Sequence, residues 1–412
     1  MDPVYIVGVG MTPLGKLPHW SVKDLARQAV GAALADAGCS LDSIEGAFFS
    51  NATQGHMEGQ QVIRGEIALR ALGLSSIPIF NVENACASGS SALNLAVQFI
   101  RAGDGDVALA VGAEKMYSED RVCMLSVFDG GWDVHTVEAN KERLLQLGRG
   151  VEPPPGTTST KPYSIFMDVY AALARFYMRE FGVTEQQLAA VSSKNHCHSV
   201  HNSLSQYRKP YTIEEVLAAP PIAYPLTLPM CAPVSDGAAA AVVCSEQGLK
   251  RWGLDANRAI RVLASVVQSG TDRDPKDLVN HITARAARRA YEKAGIGPED
   301  ISVAEVHDAT AMGEIIQVEN LGFCPVGKGG TVALSGATAL GGRLPVNPSG
   351  GLESKGHPVG ATGLGQIYEL VTQLRGEGGA RQVEGARLAL AENGGGLYGI
   401  EEAVACITIL GK

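Results

Sequence analysis

A chain of 412 residues with a formal charge of −9, 45% hydrophobic and 19% charged residues has the composition of a large globular protein. It is too long for one small module and too apolar for disorder. The negative balance argues against binding nucleic acid or an anionic membrane surface, since neutralising phosphates requires clustered Lys and Arg. Eight cysteines without a CxxC pair or regular spacing suggest neither a disulfide framework nor a zinc ribbon, and they read as reduced thiols of a cytoplasmic protein. No basic leader precedes the opening strand-like run, ILGK carries no sorting address, and no stretch approaches ~18 consecutive apolar residues, so no membrane association is expected.

In chain order, VYIVGVG (4–10), GAFFSN (46–51) and IPIFNVENA (77–85) read as strands, with a helical pattern over 21–38 between the first two, which is α/β order. After Cys86, the residues Leu93, Ala96, Val97 and Ile100 form an i, i+3, i+4, i+7 stripe, so a helix begins just past the cysteine. The strand VALAVGAE (107–114) follows. From 119 to 235, Gly- and Pro-rich stretches interrupt helical ones, the texture of an inserted segment that covers substrate, with the proline run 153–155 stiffening a loop. AAAAVVCS (238–245) resumes the α/β pattern, and IRVLASVVQSG opens a second series after a linker near 250–260. Helix, turn and strand recur at corresponding places in the two series, as in a duplicated chain. The layout predicted is an N-terminal half of residues 1–118 and 236–255, a loop domain of 119–235 and a C-terminal half of 256–412.

Two sites carry candidate chemistry. Cys86 stands in ACASGSSAL, between a strand and a helix start and among small residues. Helix N–H groups there favour a thiolate, and the small collar lets a bulky thioester approach. A cysteine chosen at random is more often a buried packing residue. His357 lies in the glycine-rich NPSGGLESKGHPVGATG ahead of a helix, where an imidazole can take a thiol proton or donate to an oxyanion. A lone loop histidine is usually structural, and it is the pairing with Cys86 that gives it meaning. His196, His198 and His201 in NHCHSVH are not read as metal ligands, because i, i+2 and i+5 do not share a helix face and no carboxylate completes a set.

ACASGSSAL, HDATAMGE, NPSGGLESKGHPVGATG and a GGG loop before the last strand resemble the four active-site loops of thiolases, in order and across the whole chain. KNHCHSVHN and CAPVSDGAAAAVV, with His-Asp where biosynthetic thiolases have Asn-Glu, resemble the sterol-carrier-protein type and a related bacterial branch. The resemblance implies two five-stranded βαβαβαββ-like halves in α-β-α-β-α layers, with a loop domain over the site and a homodimer or larger assembly. It implies Cys86 as acyl nucleophile, His357 as its activating base, and His357 with His307 around the thioester enolate oxygen. A second oxyanion hole would use the N–H groups of Cys86 and Gly394. Coenzyme A would be co-substrate with an acyl-CoA, and a small zinc-ribbon/OB-fold subunit would be a partner, as in the bacterial branch that includes the thiolases of benzoylsuccinyl-CoA.

One departure stands out. Thiolases carry a second cysteine as acid and base, either two residues before the terminal Gly motif or directly after His-Asp, and this chain has Glu392 and Ala309 at those places. Glu392 is a candidate acid/base if burial raises a carboxyl of ordinary pKa ~4.3, or else a brace for the GGG loop. Cys324 and Cys406 read as packing residues. The activity expected is thiolysis of a 3-oxoacyl-CoA, and Phe128, Trp132, Tyr163, Phe166 and Tyr170 are compatible with an aryl substrate and equally with an ordinary core. Retro-aldol cleavage or a Claisen-type condensation, and a non-catalytic acyl-CoA-binding subunit, stand as the alternatives.

Overall fold

The computed structural model describes residues 2–412. Strand β1 (Val4–Met11) leads to helix α1 (Val22–Ala37), which starts at a capping box of Ser21 and Asp24 and stops at Gly38 in the left-handed region. Strands β2 (Gly46–Ser50) and β3 (Ile79–Val82), helix α2 (Ser88–Ala102) and strand β4 (Val107–Glu114) follow. The next stretch carries the long helices α3 (Ile165–Phe181) and α4 (Glu185–Ser199) and the hairpin β5 (Pro221–Ala223) and β6 (Leu226–Thr227). Strand β7 (Gly237–Ser245) returns to the first sheet. The second series comprises β8 (Ile260–Ser269), α5 (Ile282–Ala294), β9 (Val303–Glu305), α6 (Ala311–Asn320), α7 (Thr362–Arg375), β10 (Leu388–Tyr398) and β11 (Glu401–Gly411).

The strands run β3-β2-β4-β7-β1-β8-β11-β10-β9 in one nine-stranded sheet, joined at its middle by only two residue pairs, Tyr5 with Arg261 and Ile6 with Ile260. On each side of that seam the order repeats. β1, β7, β4 and β2 correspond to β8, β11, β10 and β9, and a lone bridge of Val346 to Ala304 stands where β3 has its counterpart. Pro345 and Pro348 flank Val346 and lack the N–H that a ladder needs, which is why the C-terminal half has four strands where five were expected.

Alternation along the strands builds the layers. Val107, Leu109 and Val111 of β4 pack with α1 on one face, and Ala108 and Ala110 pack with α2 and α7 on the other. Helix α5 covers the outer face of the second half. Helices α2 and α7 share a core with inward-facing residues of both halves, so the sequence α-β-α-β-α is present. The two central helices approach closely at glycines: a β-carbon on Gly89 would stand 3.1 Å from Gly360 O, and one on Gly363 would stand 2.1 Å from Ser90 Oγ. The helices between β4 and β7 form a further core with α6. No helix among the described residues is long and apolar enough to cross a membrane.

Candidate active site

Loops at the ends of β3, β9 and β10 and the segment before α7 converge on one chamber of about 1110 Å³. Cys86 occupies the single turn Ala85–Ala87 that joins β3 to α2. Ala85 there has φ 48, a left-handed value uncommon for a residue with a side chain. The turn is held from within, Ser88 Oγ donating to Ala85 O at 2.6 Å and accepting from Asn84 N at 2.8 Å. It is held from outside by β10, where a β-carbon on Gly395 would lie 2.3 Å from Asn84 O. Only glycine lets strand and turn meet this closely.

His357 follows Gly356, which takes φ 116, and its own N–H donates to Ser235 Oγ at 2.9 Å. Its Nδ1 lies 2.7 Å from Thr362 Oγ1, whose single proton goes to Pro358 O at 3.1 Å. The hydroxyl therefore accepts from Nδ1–H, and Nε2 keeps its lone pair. His307 is 4% exposed and neither ring nitrogen has a hydrogen-bond partner. The two rings meet edge to face with centroids 5.3 Å apart. One donor atom each from Cys86, His307 and His357 lie within 4.8 Å of one another, so the three residues paired from the sequence are brought together.

Protonation states follow from burial. Burial holds His357 well below the ordinary imidazole range, with His307 and Lys355 adding to the effect, and it brings His307 down to about 4. Both rings are neutral at pH 7. The Cys86 thiol is pushed up to about 12, by burial first and then by the charge of Glu114, against the pull of the N–H groups of Cys86 and Gly396. The helix start thus does not yield a resting thiolate as the sequence suggested, because desolvation and a nearby carboxylate outweigh a short run of N–H dipoles. The resting pair is a neutral thiol beside a neutral base.

The N–H facing the Cys86 sulfur is that of Gly396, which has φ 62 and is left unpaired in the β10–β11 register. Gly394 is regular strand, and the place its β-carbon would take lies 3.0 Å from Glu402 Cγ. Glu392 is fully buried and absent from the chamber lining. Its Oε2 accepts from His307 N at 2.8 Å, the brace-like position, while Oε1 has no partner. Glu402 was not singled out in the sequence, yet it lines the chamber. Ala309 lines it too, and Cys231 beside it turns its thiol toward Thr227 O at 3.6 Å. Cys406 and Cys324 are core residues away from the chamber.

Phe128, Tyr163, Phe166 and Tyr170 line the chamber, whereas Trp132 packs on Phe166 at 5.1 Å within a separate small core. Lys16, Arg64, Arg121, Arg208 and Lys209 also line it, a local cationic set on an acidic chain. His198 uses both ring nitrogens in the fold, with Asn347 O at 2.9 Å and Leu340 N at 3.0 Å, and His196 reaches Pro229 O at 3.1 Å and Ser354 Oγ at 3.1 Å. His196 and His198 are thus built into the packing of α4, with His196 also lining the chamber, while His201 lies exposed past the helix end.

Residues 4–215 match the family described as thiolase, N-terminal domain, and residues 264–412 match thiolase C-terminal domain-like. The chain belongs to the thiolase family. It is 37% identical to sterol carrier protein 2 of Oryctolagus cuniculus over 95% of this chain and 69% of that one. It is 36% identical to the acetyl-CoA acetyltransferase of Methanothermobacter thermautotrophicus over 97% and 98% of the two chains. With the benzoylsuccinyl-CoA thiolase subunit BbsB of Thauera aromatica it shares 35% identity over 95% and 94%. A solved structure titled Ltp2-ChsH2(DUF35) aldolase superposes with a TM-score of 0.78 at 24% identity, covering 99% of this chain and 97% of that one, which is a likeness of fold. This thiolase is an acyl-CoA acyltransferase, as its family and its acetyltransferase-named relatives show.

Proposed function

We propose that this thiolase cleaves a 3-oxoacyl-CoA with free CoA, through an acyl group carried on Cys86. The observation that supports this most directly is the meeting of the Cys86 thiol, a neutral His357 with an open Nε2 lone pair, and a buried His307 with both ring nitrogens unpartnered. His357 takes the thiol proton as sulfur bonds to the 3-keto carbon, so the thiolate forms only against substrate. The C2–C3 bond then breaks, and the thioester oxygen takes up charge beside the two imidazoles. One donor aimed at such an oxygen contributes about 3 kcal/mol to the transition state. Free CoA then lifts the acyl group from Cys86.

The five chamber cations suit the CoA phosphates, and Phe128, Tyr163, Phe166 and Tyr170, among the chamber's aromatic side chains, suit an aryl acyl group, such as that of benzoylsuccinyl-CoA. Comparing kcat/KM for aryl and straight-chain 3-oxoacyl-CoA tests the substrate class, with the aryl compound favoured. We also propose a homodimer working with a small zinc-ribbon/OB-fold subunit, a reading that rests on the motif resemblance and on a relative itself named as a subunit. Co-purification from the native host with a tag on this chain tests it, and isolation of a fully active chain alone would remove it. Mass spectrometry after mixing with 3-oxoacyl-CoA should show an acyl adduct on Cys86 and none in Cys86→Ser, whose hydroxyl is far harder to ionise. An adduct on any other residue would falsify the assignment. The presence of Cys86 at this place disfavours a pure aldolase, which has no use for an acyl-enzyme.

A further inference from the structure

We infer that Glu402, rather than Glu392, is the acid/base that stands in for the second thiol of thiolases, an inference that rests on the thiolysis reading. Three observations converge on Glu402. Glu402 lines the same chamber as Cys86, His307 and His357, and Glu392 does not; Glu402 also borders a second, smaller pocket that His281 and Gln317 line. It lies over Gly394, with Glu402 Oε1 3.3 Å from the place a β-carbon would take, so the side chain absent from that strand position is what gives the carboxyl its room. Both of its carboxyl oxygens also have side-chain neighbours. Gln317 Nε2 of α6 donates to Oε1 at 3.1 Å, and His281 Nε2 at the start of α5 faces Oε2 at 3.4 Å.

The histidine's tautomer is set by its neighbours. His281 Nδ1 accepts from Thr283 N at 3.2 Å and faces the Asn320 amide at 3.0 Å, so the proton sits on Nε2 and points toward Glu402. Two neutral donors orient the carboxyl, and the one nearby cation, Arg273, pulls only part-way toward the ionised form because it is paired with Glu401. The charged and titratable groups around it are Glu392 of β10, Glu401 beside it on β11, Tyr170 of α3, and Arg273, which is paired with Glu401 at 2.6 Å. Burial, with Glu401 adding to it, raises Glu402 above the ordinary carboxyl range, and the buried Glu392 next to it is raised as well. A carboxyl so placed can be protonated when a carbanion needs a proton and ionised when a thiol must lose one.

The proton balance closes over both half-reactions. As the C2–C3 bond breaks, C2 of the departing thioester takes the Glu402 proton, while His357 holds the proton from Cys86. Incoming CoA then gives its thiol proton to the Glu402 carboxylate and bonds to the acyl carbon. The Cys86 S–C bond breaks, and the thiolate recovers its proton from His357. Cys231, the other thiol of the chamber, is a poorer candidate because its S–H is engaged with Thr227 O at 3.6 Å.

The experiment pairs two readouts on the wild type, Glu402→Gln and Glu402→Asp: the acyl adduct on Cys86 by mass spectrometry, and exchange of the α-protons of an acyl-CoA with D₂O by NMR. In Glu402→Gln the adduct should persist while α-proton exchange and steady-state turnover fall by about 10²–10⁴-fold and one limb of the pH–rate profile disappears. Glu392→Gln should keep that limb. Exchange and turnover near wild-type level in an adduct-forming Glu402→Gln would overturn the assignment, as would loss of the limb in Glu392→Gln alone. If the Gln variant does not fold, Glu402→Asp is read on the same signals, with adduct and a tenfold or larger loss of exchange supporting the role and adduct with unchanged exchange refuting it. Absence of an adduct on wild-type Cys86 would instead remove the thiolysis reading, and this inference with it.

Discussion

In the N-terminal half the turn after β3 carries Cys86 and runs into α2; in the C-terminal half the corresponding turn, Val359–Ala361, runs into α7 and carries only Val, Gly and Ala. The halves repeat the scaffold and divide the chemistry. The first supplies one thiol, and the second supplies both imidazoles and the carboxyls around them. They are also latched reciprocally. Glu114 at the end of β4 accepts the N–H of Gly360 at 2.9 Å in the second half, and Asn393 of β10 accepts the hydroxyl of Ser90 at 3.0 Å in the first. The carboxylate latch additionally gathers Asn51 Nδ2 at 2.8 Å, Ala52 N at 2.9 Å and Thr53 N at 3.0 Å. A duplicated frame can thus bring unlike groups together, provided each half grips the other's active loop.

That division can be broken at its seams. Removing the base from the second half, His357→Ala, should lower kcat by about 10²–10⁴-fold with little change in KM, measured by steady-state thiolysis, since the proton transfer matters in the transition state. Next in size is Gly363→Ala at the crossing of α2 and α7. The added carbon would meet Ser90 Oγ at 2.1 Å and Asn393 Oδ1 at 2.5 Å, so urea unfolding should show a loss of about 3 kcal/mol.

The halves should also differ in their response to acid. Burial holds His198 and His281 down at about 3 and His307 at about 4, and all three belong to the second half or pack against it. For a histidine whose folded pKa is depressed, stability is present above the unfolded value of ~6.5 and is lost as pH falls below it. The raised carboxyls Glu392 and Glu402 act in the opposite sense, losing stability as pH rises through their folded values. The clean measurement is therefore a difference. The stability gap between wild type and His198→Gln should narrow by up to about 1.4 kcal/mol per pH unit as pH falls from about 6.5 toward 4. A gap independent of pH would mean that His198 does not stay neutral in the fold. Smallest is Ser90→Ala, which takes one hydrogen bond from Asn393 and should cost about 1 kcal/mol in the same unfolding assay.

Cys86 and His357 were legible because each lies in a local pattern whose glycines and small residues announce a turn that must admit a ligand, and His307 was legible only through the resemblance of HDATAMGE to a thiolase loop. The layering was legible for a similar reason, alternation and the helical stripe being properties of short windows. Glu402 was not. In GIEEAV it reads as an ordinary strand residue, and its meaning depends on a side chain that reaches Gly394 from a position paired with Leu397, and on Gln317 and His281 from two distant helices. Glu392 was noticed as a substitution, but no sequence window could show that its carboxyl turns to the His307 N–H. That the Gly396 N–H faces the sulfur depends on a backbone dihedral that residue type alone does not select, since Gly394 and Gly395 are glycine too. The fourth strand count of the second half was legible in principle from the prolines around Val346, and went unread because the repeat suggested symmetry.

The protonated resting state of Cys86 has a consequence for the protein's chemical durability. Peroxide and alkylating reagents attack the thiolate, and a thiol with a pKa of about 12 exposes very little of it at neutral pH. In the mechanism proposed above, Cys86 is inert while idle and is armed only when a thioester fills the chamber and His357 takes the proton. Resting enzyme should therefore survive iodoacetamide and dilute peroxide, and a substrate analogue that draws the proton to His357 without forming a bond to sulfur should sensitise it.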